Sequence, residues 1–153
     1  MKILAAMVFI ILLASISYSA DETTKFINPE GLNKPTGYTH VVVTTGARTI
    51  YIAGQVALNA KGEVVGKKDL KAQTEQVFEN LKTALSAAGC TFNNVVKITM
   101  FVVNYTPDAI PTIREIRGKY ITGEHPPAST LVGVQALARE DYMIEIEAVA
   151  VAN

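Results

Sequence analysis

The chain has 153 residues, with 14 Lys+Arg balanced by 14 Asp+Glu. That length is one ordinary domain, and neutral charge with a pI near 6.7 excludes the strongly basic surface of a nucleic-acid binder. One cysteine and two histidines exclude a disulfide framework and leave too few ligands for a His/Cys zinc cluster.

Hydrophobic residues make up 49% of the chain, and the excess begins at the N-terminus. Lys2 precedes an unbroken apolar run from Ile3 to Ala14, shorter than the ~20 residues that span a bilayer. Ser17 and Ser19 flank Tyr18 in the small-x-small spacing that a signal peptidase accepts. Residues 1–19 are therefore expected to be a secretory leader, cleaved after Ser19 or, one residue on, after Ala20; an uncleaved anchor is the alternative. No cysteine follows, which excludes a lipoprotein anchor there. Fifteen of those 19 residues are hydrophobic, so residues 20–153 have the composition of an average soluble domain. The expectation is an exported protein, periplasmic or secreted, with no stable membrane insertion once the leader is gone.

Along the rest of the chain, Asn28-Pro29-Glu30-Gly31 and Pro35-Thr36-Gly37 read as turns. The β-branched runs 40–44 and 49–53, separated by Gly46-Ala47-Arg48, read as a hairpin, with a further short strand over 55–58 and a turn at Lys61-Gly62. Asp69 is placed to cap a helix over 70–88, whose stripe Val77, Leu81, Ala84, Leu85 and Ala88 opposes Lys71, Glu75, Glu79, Lys82 and Ser86. Gly89 is its expected stop. Residues 95–103 are apolar at nearly every position, the mark of a central strand. Thr106-Pro107-Asp108 opens a second helix to about Ile121, with the stripe Ala109, Ile113, Ile116 and Tyr120; Pro111 is tolerated in its first turn. Two more strands, 130–137 and 143–151, flank the polar turn 138–141.

The order β-β-β-α-β-α-β-β predicts an α+β fold: one layer of mixed sheet with two helices on one face. The other face then carries Val, Ile, Met and Ala residues with no helix left to cover it, which predicts a homo-oligomer.

No P-loop, dinucleotide fingerprint, HExxH or GxSxG motif occurs. His40, His125 and Cys90 read as structural or surface residues. Glu145 and Glu147 are more informative: they alternate along an otherwise apolar strand, and such carboxylates need a partner, a wet edge or a function. Arg114 and Arg117, three apart on the second helix, share a face suited to an anion, a subunit ion pair or plain solvation.

Pro127-Ala128-Ser129-Thr130-Leu131-Val132, continued by Ile144-Glu145-Ile146-Glu147-Ala148, resembles the signature of the RidA/YjgF family of reactive-intermediate deaminases. Ala53-Gly54-Gln55, Lys71-Ala72-Gln73-Thr74, Ala87-Ala88-Gly89 and Lys97-Ile98-Thr99-Met100-Phe101-Val102 resemble it in the same order. The resemblance spans about residues 25–152. It implies a chorismate-mutase-like protomer, assembled as a homotrimer around a central β-barrel, with small-molecule clefts between subunits. It also implies hydrolysis of enamines and imines to a carbonyl product and ammonia, without metal or cofactor. In that family an arginine of the signature pairs with the substrate carboxylate, and a carboxylate on the last strand positions water. The carboxylate falls on Glu145, a cleft tyrosine on Tyr38 and a backbone position beside the ligand on Gly54. The arginine position falls on Ser129, whose hydroxyl cannot replace a bidentate guanidinium; Arg114 stands where many members have asparagine. Two readings follow. One is an imine/enamine hydrolase with altered specificity, its missing cation supplied by Arg114 or Arg117. The other is a non-catalytic trimer binding a small molecule through Ser129 and Thr130.

Overall fold

A computed structural model of the chain describes residues 23–28, 30, 39, 41–46 and 48–152. The expected leader, the turn at 35–37, Tyr38 and His40 lie outside the described residues.

The first helix, α1, runs Leu70–Ala87. Its start is fixed by Asp69, whose Oδ1 accepts the Ala72 backbone N–H at 3.1 Å, satisfying one of the amides that a helix start leaves open. It stops where Gly89 turns left-handed at φ +72°, with the Cys90 N–H donating back to the Leu85 carbonyl at 2.8 Å. The second, α2, runs Ala109–Tyr120 with Pro111 in its first turn. Val77, Phe78, Leu81 and Leu85 of α1 and Ile113 and Ile116 of α2 are buried, and the Phe78 and Tyr120 rings stack at 5.0 Å.

Both helices cover one face of a four-stranded sheet. Its strands are β3 (Arg48–Gln55), β4 (Val95–Val103), β5 (Ala128–Val134) and β6 (Ile144–Ala152), in the order β3-β6-β4-β5. β4 and β5 are parallel, joined by the α2 crossover; the other pairs are antiparallel. Ile98, Met100, Val102, Ile144, Ile146, Ala148 and Ala150 point at the helices and are buried. The α+β class, the mixed sheet and the central place of 95–103 are as the sequence predicts.

Four expectations are corrected. The runs 41–45 and 48–55 do not pair with each other: β2 (Val41–Thr45) pairs with β1 (Thr23–Ile27) in a separate two-stranded sheet, and β3 takes β6. Proximity in sequence favours a hairpin, but Ile50 and Ile52 reach the core only opposite the small Ala150 and Ala148. Residues 55–58 form no separate strand. Their carbonyls are taken from the helix side, where Asn80 Nδ2 donates to both Val56 O and Leu58 O at 2.9 Å. β6 is not an edge strand but a central one, so the edge part of that reading fails, although Glu147 is exposed on the open face and Glu145 half-buried. Finally, the Ile and Met residues of the sheet lie on the helix side. The open face mixes Tyr51 (81% exposed), Val132, Phe101, Val103 and Val149 with Lys97, Thr99, Thr130, Glu145 and Glu147.

Candidate functional site

A bulge in β3 builds the closest contact between two of the predicted residues. Ile52 is opposite Ala148 and Gln55 opposite Ile146, so Ala53 and Gly54 together stand against the single residue Glu147. The extra residue turns the Gly54 α-carbon toward Glu145. A β-carbon on Gly54 would lie 1.9 Å from Glu145 Oε1 and 2.8 Å from its Cδ. The carboxylate therefore occupies the space a side chain would need, and glycine is required for close approach rather than for backbone freedom. Glu145 is half-buried and lies opposite Phe101 on the open face.

The same face holds a polar group that sequence reasoning missed. Lys97 Nζ donates to Thr130 Oγ1 at 2.5 Å. Burial pushes the Lys97 amine down, and the charge of Glu147 pushes it back up. The signal was available: Lys97 is the one charged residue in the run 95–103, as Glu145 and Glu147 are in theirs.

Ser129 and Thr130 do not act together, because neighbouring strand positions face opposite ways. Thr130 is on the open face. Ser129 points to the helix side, where it lines a cavity of ≈ 250 Å³ with Arg114, Arg117, Tyr105, Met100 and Leu131. Both arginines converge there. Burial first, then the charge of Arg114, pushes the Arg117 guanidinium below its ordinary value. Gly133 admits Tyr105 to this edge, since a β-carbon there would meet Tyr105 Cβ at 2.9 Å.

The predicted residues thus form two groups. Glu145 and Gly54 lie on the open face at β6 and β3; Ser129 and Arg114 lie on the helix side at the β5 edge, with β4 between. Near that edge Thr39 is buried, and its N–H and Oγ1 donate to Pro127 O and Pro126 O at 3.1 and 2.5 Å. His125 is exposed and stacks on Phe26 at 4.9 Å, and Cys90 is buried; both are where a structural reading puts them. A larger cavity of ≈ 480 Å³ beside the start of α2 contains none of the predicted residues. Among the described residues no group of three or more His, Cys, Asp or Glu is placed to hold a metal ion, and no helix is long and apolar enough to cross a membrane.

Two helices over a mixed sheet, with a carboxylate seated on a bulge glycine, define an α+β protein of the RidA type. Residues 31–152 match the Endoribonuclease L-PSP family, and the chain belongs to it. The Rid-family protein YyfB from Yersinia pestis, a structure of unknown function, is 45% identical with a TM-score of 0.78, covering 84% of this chain and 98% of that one. A RutC family protein from Pyrococcus horikoshii is 39% identical over 122 residues, 79% of this chain and 92% of the relative. A 2-iminobutanoate/2-iminopropanoate deaminase from Mus musculus is 39% identical over 104 residues, 68% of this chain and 74% of the relative. The family expected from the sequence is the family found.

Proposed function

We propose that the protein hydrolyses small imines and enamines to a carbonyl product and ammonia, at a cleft completed by a second copy of the chain. The observation that carries this is the Glu145 carboxylate fixed against the Gly54 backbone on the sheet face opposite α1 and α2. Similarity to the mouse deaminase supports the reaction class.

Glu145 accepts a hydrogen bond from water and takes its proton as the oxygen attacks the imine carbon. The proton passes to nitrogen, the C–N bond breaks, and ammonia leaves as the C=O bond forms. Water supplies both the oxygen and the two hydrogens, so no oxidant, metal or cofactor enters the balance. An enamine first takes a proton at carbon to become the imine.

A second copy is required because the two groups of site residues belong to opposite faces of one sheet, two strand spacings (~10 Å) apart. A closed homotrimer brings the open face of one protomer to the β5 edge of the next and covers Tyr51 and Val132. The leader reading places this activity outside the cytoplasm, and recovery of a mature chain that begins at Ala20 or Asp21 tests that part.

The main test is ammonia release from imines made in situ by an amino-acid oxidase. Wild type is expected to accelerate release and Glu145→Gln to lose it by a hundredfold or more. Absence of acceleration across neutral and acidic imines refutes the enzyme and leaves the ligand-binding trimer. Light scattering that gives a monomer refutes the shared cleft.

A further inference from the structure

The described helix surface pairs its charges, with two exceptions. Lys71 reaches Glu115 at 3.2 Å, Lys119 reaches Glu75 at 2.9 Å, and Lys82 reaches Glu79 at 3.7 Å. Arg114 and Arg117 have no carboxylate or hydrogen-bond partner among the described residues, although both line the ≈ 250 Å³ cavity against Ser129. Two like charges one helical turn apart repel, and a half-buried guanidinium without an acceptor bears a desolvation cost. Among the described residues no carboxylate relieves the repulsion, and none accepts from Arg117. Met100, Ile113 and Leu131 form the apolar part of the cavity lining, and Arg117 is half-buried against it while Arg114 stands exposed at its rim.

We infer that the Arg114–Arg117–Ser129 cavity is a binding site for a small dicarboxylate. Each planar guanidinium offers a fork that matches one carboxylate bidentately, and the Ser129 hydroxyl adds one donor between the helix and β5. Two negative charges neutralise the pair, whereas a monocarboxylate leaves one cation uncompensated. The cavity has the volume of about eight water molecules, enough for an acid of four or five carbons. Where the reading of the protein as an imine hydrolase holds, which this consequence rests on, the preferred substrates are imines derived from acidic amino acids. The 2-imino acids named for the mouse relative, with a single carboxylate each, are then poorer ones.

Binding separates this inference from the catalytic one. Succinate is titrated into the mature protein by calorimetry, alongside butyrate and inorganic phosphate. Succinate is expected to bind at least tenfold more tightly than butyrate and more tightly than phosphate. Arg114→Gln, at an exposed position that leaves the core intact, weakens succinate at least tenfold. Arg117→Lys, which keeps the charge but loses the fork, weakens it less than Arg117→Gln. Glu145→Gln keeps succinate binding while losing turnover, so a dead enzyme does not decide the matter. Equal affinity for succinate and butyrate, tighter binding of phosphate, or unchanged succinate binding in Arg114→Gln overturns the assignment. In the turnover assay, Arg114→Gln lowers the ratio of kcat/KM for an imine with two carboxylates over one with a single carboxylate at least tenfold, whatever it does to either rate alone.

Discussion

Replacing Gly54 by alanine separates the fold from the chemistry. The new β-carbon would lie 1.9 Å from Glu145 Oε1 and 2.9 Å from its Cγ. Ordinary contact starts at 3.4 Å, so the carboxylate must retreat by about 1.5 Å, well inside the repulsive wall at its present place. Displacing a reacting group by ~1 Å costs on the order of a hundredfold in rate, about 2.7 kcal/mol of transition-state stabilisation. Stability should barely change. Gly54 does not have a positive φ, so alanine is compatible with its backbone and contributes roughly 0.4–1 kcal/mol by restricting the unfolded chain. That offsets an off-rotamer Glu145 at about 0.5–1.5 kcal/mol. The expected outcome is a Tm within a few degrees of wild type and kcat/KM for imine hydrolysis down about a hundredfold. Because the two residues act as one unit, Gly54→Ala combined with Glu145→Gln should be no slower than Glu145→Gln alone. Full activity in Gly54→Ala, or a further large loss in the double variant, would refute the assignment of Glu145.

Gln73 is buried and ties α1 to the approach of β6: its Nε2 donates to Asp141 O at 2.7 Å and its Oε1 accepts from Met143 N at 2.8 Å. Gln73→Leu strands both backbone groups and should cost roughly 2–3 kcal/mol, read as a Tm about 10 °C lower; a loss under 3 °C would show that water takes over both bonds. The Tyr120 phenol is pushed up to about 12, by burial and then by its hydrogen bond to Glu79. An unfolded tyrosine releases its proton near ~10, so between those values the unfolded chain binds fewer protons and stability falls as pH rises, with no contribution to the slope below that window. Subtracting Tyr120→Phe from wild type in urea melts isolates this residue from the other tyrosines. The wild-type advantage should be present at pH 9 and gone by pH 12, and a pH-independent difference would refute the raised phenol.

How much of this was legible follows the range of each signal. Asp69, Gly89 and the stripes of both helices are local, and residues three and four apart report them directly. Glu145 and Lys97 stand out as charges in apolar runs, a signal that needs only the strand period. Among the described residues the strand count came out right through two compensating errors: 55–58 contributes no strand, and Thr23–Ile27 supplies one that has no strong alternation. Nothing in the sequence distinguishes a hairpin partner from β6, because pairing depends on which opposite residues are small enough to let Ile50 and Ile52 reach the core.

The sequence by itself determined the class of the fold and the family, and it singled out Glu145 as the candidate carboxylate, since these rest on residue type and collinear spacing. Only the tertiary structure decided how the candidates are divided. The β3 bulge brings Gly54 under Glu145, and strand alternation sends Ser129 to the helix side while Thr130 goes to the open face. The crossover of α2 then sets Arg114 and Arg117 over Ser129. Those placements depend on strand order and pleat, which join residues far apart in the chain, and local spacing carries no information about either.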